Sequence, residues 1–206
     1  MRADLYGLML RQVSALIKPL TVSPVVTAGM AAGDPGWVKR AMAATGGHLF
    51  ADVLAVHPYG RRPKHHWPNP TWGGLPDPEM VDFLRSYRAV AGRPIWVTEY
   101  GTEDDHTHVP GSNGASVLAQ DLFPETTFTS LSDNLPGVVT KFFWFCWSDG
   151  MVSGKGLLDS NGQRKGAFAS FQSYALRPFG PSGMAAATAP LSPSATKRAF
   201  SNRRKK

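Results

Sequence analysis

The sequence predicts an α/β fold with parallel strands, on three observations. Short apolar runs alternate with amphipathic segments along most of its 206 residues. Two of the amphipathic segments open with Asp-Pro, a helix-start signal. Three successive apolar runs then end alike, in "HPYG" (57–60), "EYGT" (99–102) and "WSDG" (147–150). Alternation of this kind argues for a parallel sheet with right-handed crossovers, and the length allows one domain with a sizeable core.

The elements follow in order. "MRADLYGLMLRQVSALIKPL" has amphipathic spacing and reads as a helix rather than a signal peptide. The chain as given therefore reads as cytoplasmic. "SPVVTAG" (23–29) is a short β-branched run closed by Gly29, and "DPGWVKRAMAAT" (34–45) a helix capped by Asp34 with Pro35 at its first position. "ADVLAV" (51–56) is apolar enough for a strand buried on both faces. "DPEMVDFLRSYRAVAG" (77–92) places Met80, Leu84, Tyr87 and Ala91 on one helical face and stops at Gly92. "PIWVTE" (94–99) is the next strand. Residues 115–134 read as helix, broken or kinked at Pro124. "VVTKFFWFCW" (138–147) reads as a central strand, and "RKGAFASFQSYAL" (164–176) as a closing helix weakened by Gly166.

A formal charge of +7 suggests a nucleic-acid binder, but its location argues otherwise. Residues 181–206 carry Lys197, Arg198, Arg203, Arg204, Lys205 and Lys206 and no acid, which leaves +1 for residues 1–180. The Ala/Ser/Pro-rich stretch 179–206 reads as a disordered basic tail. Its "NRRKK" run suits a nucleic acid or an anionic surface, and a solvated terminus is the plainer reading. No nucleic-acid partner is expected of residues 1–178, which form the domain. No apolar run approaches the roughly 20 residues of a membrane span. The single cysteine, Cys146, has no disulfide partner in the chain and reads as a small buried apolar residue.

In a parallel α/β architecture the carboxyl ends of the strands open onto one face, where ligands bind. His57, Tyr59, Glu99, Trp147 and Asp149 would converge there. A carboxylate among an imidazole, a phenol and an indole suits sugar chemistry: the rings stack on pyranose C–H surfaces, and the carboxylate stabilises an oxocarbenium-like centre. Each residue also has a plainer reading, as a strand cap or a core aromatic with a satisfied polar tip. Trp96 and Trp144 lie within their strands, where packing is the first reading. His65, His66, His106 and His108 lack the spaced partners of a metal site, and no cofactor is expected.

"VLAVHPYG", "PIWVTEYG" and "FFWFCWSDG…GLLDSNGQRKGAFASF" resemble strands six, seven and eight of the retaining (β/α)8-barrel glycoside hydrolases of the cellulase-like and xylosidase-like clan. The resemblance runs from about residue 4 to residue 176. It implies a partial TIM barrel, strands five to eight with their helices, preceded by the helix that follows strand four. It implies Glu99 as the catalytic nucleophile, with His57 and Tyr59 orienting it and touching substrate. Trp147 matches the tryptophan that floors the sugar subsite, with Trp144 as the alternative. Gly166 stands where the family more often has proline. The implied activity is O-glycosyl hydrolysis of a β-linked poly- or oligosaccharide by a retaining mechanism; a non-catalytic carbohydrate-binding remnant of such a barrel is the alternative.

The family's acid/base glutamate, which ends strand four, has no match here. The chain is therefore expected to be weak or inactive alone, and Glu103 or Asp104 would be the local substitutes. Besides carbohydrate, the expected partner is a complementary N-terminal half-barrel or a second copy of the chain. Enzymes of the clan are often secreted.

Overall fold

The structure, a computed structural model, describes residues 1–31, 34–59, 71–72, 75–76, 80–103, 108–110 and 116–175. The basic stretch 179–206, Asp104, and the histidines at 65, 66 and 106 lie outside them. In chain order the elements are α1 (Ala3–Ile17), a 3-10 turn (Lys18–Leu20), β1 (Met30–Ala31), α2 (Pro35–Ala43), β2 (Leu54–His57), β3 (Thr71–Trp72) and β4 (Leu75–Pro76). Then come α3 (Met80–Ala91), β5 (Ile95–Tyr100), β6 (His108–Pro110), β7 (Ser116–Leu118), α4 (Ala119–Asn134), β8 (Val139–Trp144) and α5 (Gly166–Tyr174).

The main sheet has the order β1-β2-β5-β8, and every pairing in it is parallel. Leu54 pairs with Ile95, and Ile95 with Val139. The expected α/β fold is thus found, and β2 and β5 are the interior strands. Asp34 caps α2 as expected, its Oδ1 accepting from Gly36 N at 2.7 Å. Two antiparallel hairpins, β3–β4 and β6–β7, were not expected. α4 also runs through Pro124 as one helix instead of breaking there.

The run 23–29 contributes less ladder than predicted. Val26 alone bridges to Val53, and the strand proper begins at Met30. Three backbone bonds join the two runs (Asp52 N and Val53 N to Val25 O, Thr27 N to Val53 O), and side chains add to them. The Asp52 carboxylate accepts from Val25 N (2.9 Å), and the Thr27 hydroxyl accepts from Ala55 N (2.9 Å).

One core unites the helices with one face of the sheet. Leu54, Val56, Ile95, Val97, Tyr100 and Val139 from the strands meet Val38, Met80, Leu84, Tyr87 and Leu131 from the helices. Around them α1 packs on α2, α2 on α3, α3 on α4, and α4 on α5. The opposite face is partly exposed among the described residues. Trp96 and Phe143 sit there with ring centroids 6.3 Å apart, and the Lys141 ammonium lies 4.4 Å over the Trp96 ring. Phe143 remains 45% exposed. α1 likewise leaves Leu5, Leu8, Met9, Leu16 and Ile17 in solvent. An apolar cleft of about 500 Å³ separates it from residues 21–28.

Candidate active site

The site is built at the C-terminal ends of the two interior strands. In a regular strand successive side chains point to opposite faces, so Thr98 and Glu99 should be separated by the sheet. They are not, because β5 carries an irregularity. Val97 pairs with Phe142 and Tyr100 with Trp144, so three steps along β5 match two along β8. That extra residue is the arithmetic of a β-bulge, which re-aims side chains beside it. Burial records the result. Ile95, Val97 and Tyr100 are in the core, while Thr98 and Glu99 are both only partly buried.

Both of these residues reach the imidazole of His57, the last residue of β2. His57 Nε2 lies 3.0 Å from Thr98 Oγ1, and His57 Nδ1 lies 3.6 Å from Glu99 Oε2. The His57 side chain is 17% exposed and that of Glu99 is 40% exposed, which leaves the carboxylate open for a ligand. Gly29, just before β1, makes room for the ring. A Cβ there would overlap His57 Nε2 and Cε1 and come within 2.8 Å of Cδ2. The glycine is required by this close approach.

Tyr59 stands edge-on to His57, with centroids 6.4 Å apart. Its hydroxyl is buried with no hydrogen-bond partner among the described residues. Burial first, and the neighbouring Glu99 carboxylate second, hold the phenol far above its ordinary pKa, so it stays protonated. A protonated O–H this close to the Glu99 carboxylate is a donor ready for a ligand oxygen or for the carboxylate itself. Phe145 packs edge-on against the same tyrosine at 6.4 Å. Lys155 Nζ lies 5.7 Å over the tyrosine ring and 3.1 Å from Glu103 Oε1.

The structure thus brings together His57, Tyr59 and Glu99. Trp147 sits on the loop after β8, 57% exposed, with its ring against Phe168 at 5.9 Å. Trp144 is turned into the helical layer, between Phe123 (5.9 Å) and Phe171 (6.1 Å), and its Nε1 donates to Lys155 O at 3.1 Å. Asp149 is engaged in structure: Oδ1 accepts from Gly156 N at 2.6 Å, and Oδ2 is 3.2 Å from Lys165 Nζ. Cys146 is buried and unpaired, as expected of the lone cysteine. Among the described residues no cluster of three His, Cys, Asp or Glu side chains is arranged to hold a metal.

Thr98 and Phe145 were missed by sequence reasoning. A signal for Thr98 exists in "IWVTEY", where the core residues are spaced by two and then by three. No comparable signal marks Phe145 within "FFWFCW".

Residues 6–171 match the family described as the glycosyl hydrolase catalytic core. The chain belongs to that family. Solved structures agree in fold. A GH128 (subgroup I) endo-β-1,3-glucanase from Amycolatopsis mediterranei superposes with a TM-score of 0.57 at 18% identity, covering 84% of this chain and 65% of that one. The GH39 enzyme from Xanthomonas axonopodis pv. citri gives 0.54 at 16% identity, covering 84% and 36%. A monomeric β-xylosidase from Caulobacter crescentus CB15 gives 0.52 at 16% identity, covering 84% and 37%. The chain therefore spans between about a third and just under two thirds of the length of these structures. No curated protein matches the sequence.

Proposed function

We propose that this glycosyl hydrolase core carries the nucleophile side of a retaining glycosidase acting on β-linked glucan- or xylan-type saccharides, with Glu99 as the nucleophile. The observation that carries the reading is the position of Glu99. It ends an interior parallel strand, is turned off the core face by the bulge, and lies beside His57 and Tyr59. In the first step Glu99 attacks the anomeric carbon, the bond to the leaving oxygen breaks, and that oxygen takes a proton from an acid. Water then attacks the same carbon, gives its proton to the now deprotonated acid, and the bond to Glu99 breaks to restore the carboxylate. His57 orients Glu99, and the Tyr59 hydroxyl donates toward the ring oxygens of the sugar. Trp147 has the more exposed indole for stacking, while Trp144 supports the wall from behind.

Retaining chemistry needs a second carboxyl about 5–5.5 Å from the first. Glu103 and Asp149 are both occupied by lysines. The acid therefore comes from outside the described residues. On this reading the four parallel strands are strands five to eight of an eight-stranded barrel. The partly exposed sheet face, the exposed side of α1 and the 500 Å³ cleft beside it are surfaces for the closing strands. Those strands come from the same polypeptide or from an associating one.

The test is mass spectrometry after incubation with dinitrophenyl 2-deoxy-2-fluoro-β-glucosides and β-xylosides, which trap the glycosyl-enzyme. Label on the peptide bearing Glu99 is expected, and label on any other carboxylate would overturn the assignment. The lack of a second available carboxyl among the described residues favours one rival, a carbohydrate-binding remnant. That rival predicts calorimetric binding of glucan oligosaccharides with no label at all.

A further inference from the structure

We propose that Thr98 is a positioning residue that fixes the tautomer of His57, so that the imidazole presents an Nδ1–H to Glu99. The proposal rests on the reading of Glu99 as nucleophile, and it extends that reading one residue back along the same strand.

A histidine's tautomer is set by the hydrogen bond made by its other ring nitrogen. Both nitrogens of His57 have defined neighbours here. Nδ1 faces Glu99 Oε2 at 3.6 Å, and an ionised carboxylate only accepts. The proton therefore belongs on Nδ1. Nε2 faces Thr98 Oγ1 at 3.0 Å, and a hydroxyl can donate. In the neutral ring the Thr98 O–H supplies the proton in that bond, and Nε2 accepts it. An Nε2–H tautomer would instead turn a bare Nδ1 lone pair toward the carboxylate, which is repulsive. In the neutral ring a Thr98 O–H donated to Nε2 thus favours the tautomer that points a donor at Glu99. A cation would bind the carboxylate more tightly and blunt it as a nucleophile.

Two features make the arrangement specific to this backbone. The extra residue between Val97 and Tyr100 lets consecutive side chains touch one ring, which an unbulged strand forbids. Gly29 closes the third side, since any Cβ there would overlap Nε2 and displace the ring from Thr98. The imidazole is held between a backbone, a hydroxyl and a carboxylate.

The experiment is ¹⁵N NMR of the full chain with labelled histidine, at an alkaline pH where a free imidazole is neutral. The wild type should show a pyrrole-like Nδ1 and a pyridine-like Nε2 for His57, assigned by loss of its signals in His57→Asn. Thr98→Val keeps the side-chain shape and removes the hydroxyl. It should convert His57 to a mixture or to the Nε2–H form, and Thr98→Ser should restore the wild-type pattern. An Nε2–H ring in the wild type, or an unchanged tautomer in Thr98→Val, overturns the proposal. Circular dichroism of each variant separates unfolding from a tautomer change. The readout needs no turnover. If label appears away from Glu99 while the tautomer responds as stated, the nucleophile reading fails and the positioning role stands.

Discussion

Replacing Gly29 with alanine tests the packing on which the site depends. The new Cβ would overlap two atoms of the His57 ring and lie 2.8 Å from a third. Restoring an ordinary contact of about 3.5 Å moves the ring by about 1.5 Å. The ring cannot retreat freely, because Glu99 faces its Nδ1 side. Overpacking of this kind costs about 1–3 kcal/mol, and a neutral hydrogen bond lost with it about 1 kcal/mol more. A net loss of about 2–4 kcal/mol lowers the melting temperature of a chain this size by about 4–16 °C. A displacement of about 1 Å at a catalytic group is also enough for up to about 10²-fold in rate. Differential scanning calorimetry and turnover of an activated aryl glycoside read the two effects. Gly150→Ala is the control, since its Cβ would meet only Ser148 Oγ at 3.5 Å, an ordinary contact. If Gly29→Ala melts with the control and retains full turnover, the steric account of the site is refuted.

Four further outcomes are expected. Glu99→Gln should remove turnover of dinitrophenyl glycosides while leaving the melting temperature within a few degrees; persistence of that turnover would remove Glu99 from the chemistry. Tyr59→Phe should be neutral to stabilising, by up to about 1–3 kcal/mol, because it deletes a buried hydroxyl with no partner among the described residues, yet it should lower activity; a clear loss of stability in denaturant titration would show that the hydroxyl is satisfied. Burial raises the pKa of both Tyr59 and Tyr6 in the folded chain, so their contribution to stability is complete below the unfolded value of about 10 and declines as pH climbs above it; urea midpoints measured across that range should fall less steeply in Tyr59→Phe than in the wild type. Gly166→Pro should destabilise by about 1–3 kcal/mol although proline suits a first helical position, because an atom in the Cβ position would overlap the Asp121 carboxyl; an unchanged urea midpoint would contradict that geometry.

Much of this architecture was legible because burial imposes a period on the sequence. "ADVLAV" and "PIWVTE" read as neighbouring buried strands, and Leu54, Val56, Ile95 and Val97 are buried accordingly. Asp34 with Pro35 marked the start of α2 correctly. The reading thinned where side chains add to the ladder. Residues 23–29 look like a strand, but Thr27 and Asp52 take backbone donors that a neighbouring strand would otherwise engage. The hairpins β3–β4 and β6–β7 have strands of two or three residues, too short for any period to register. Glu99, His57 and Tyr59 were legible because each follows an apolar run, and parallel strands bring such ends together. Thr98 was not, because a strict period of two assigns it to the face opposite Glu99. Only the bulge overrules that period, and its trace is the three-residue step from Val97 to Tyr100.

On the proposed reading the nucleophile side is tied together without a proton donor among the described residues. Gln120 is buried in α4 and donates to Thr102 O at 2.9 Å and Gly154 O at 2.7 Å, tying the loops after β5 and β8 to one helix. The Trp144 indole donates to Lys155 O and anchors the second of those loops again. The loop that follows Glu99 is therefore tied to α4 and to the loop after β8. General acid assistance typically contributes about 10²–10⁴-fold, and on the proposed reading no acid among the described residues supplies it. A leaving group acidic enough to depart unprotonated bypasses that deficit, whereas a sugar hydroxyl does not. Comparing rates for dinitrophenyl, nitrophenyl and oligosaccharide substrates should therefore give a steep dependence on leaving-group acidity. A flat dependence would mean that an acid within this chain reaches the glycosidic oxygen, and Glu103→Gln would then be the variant to measure.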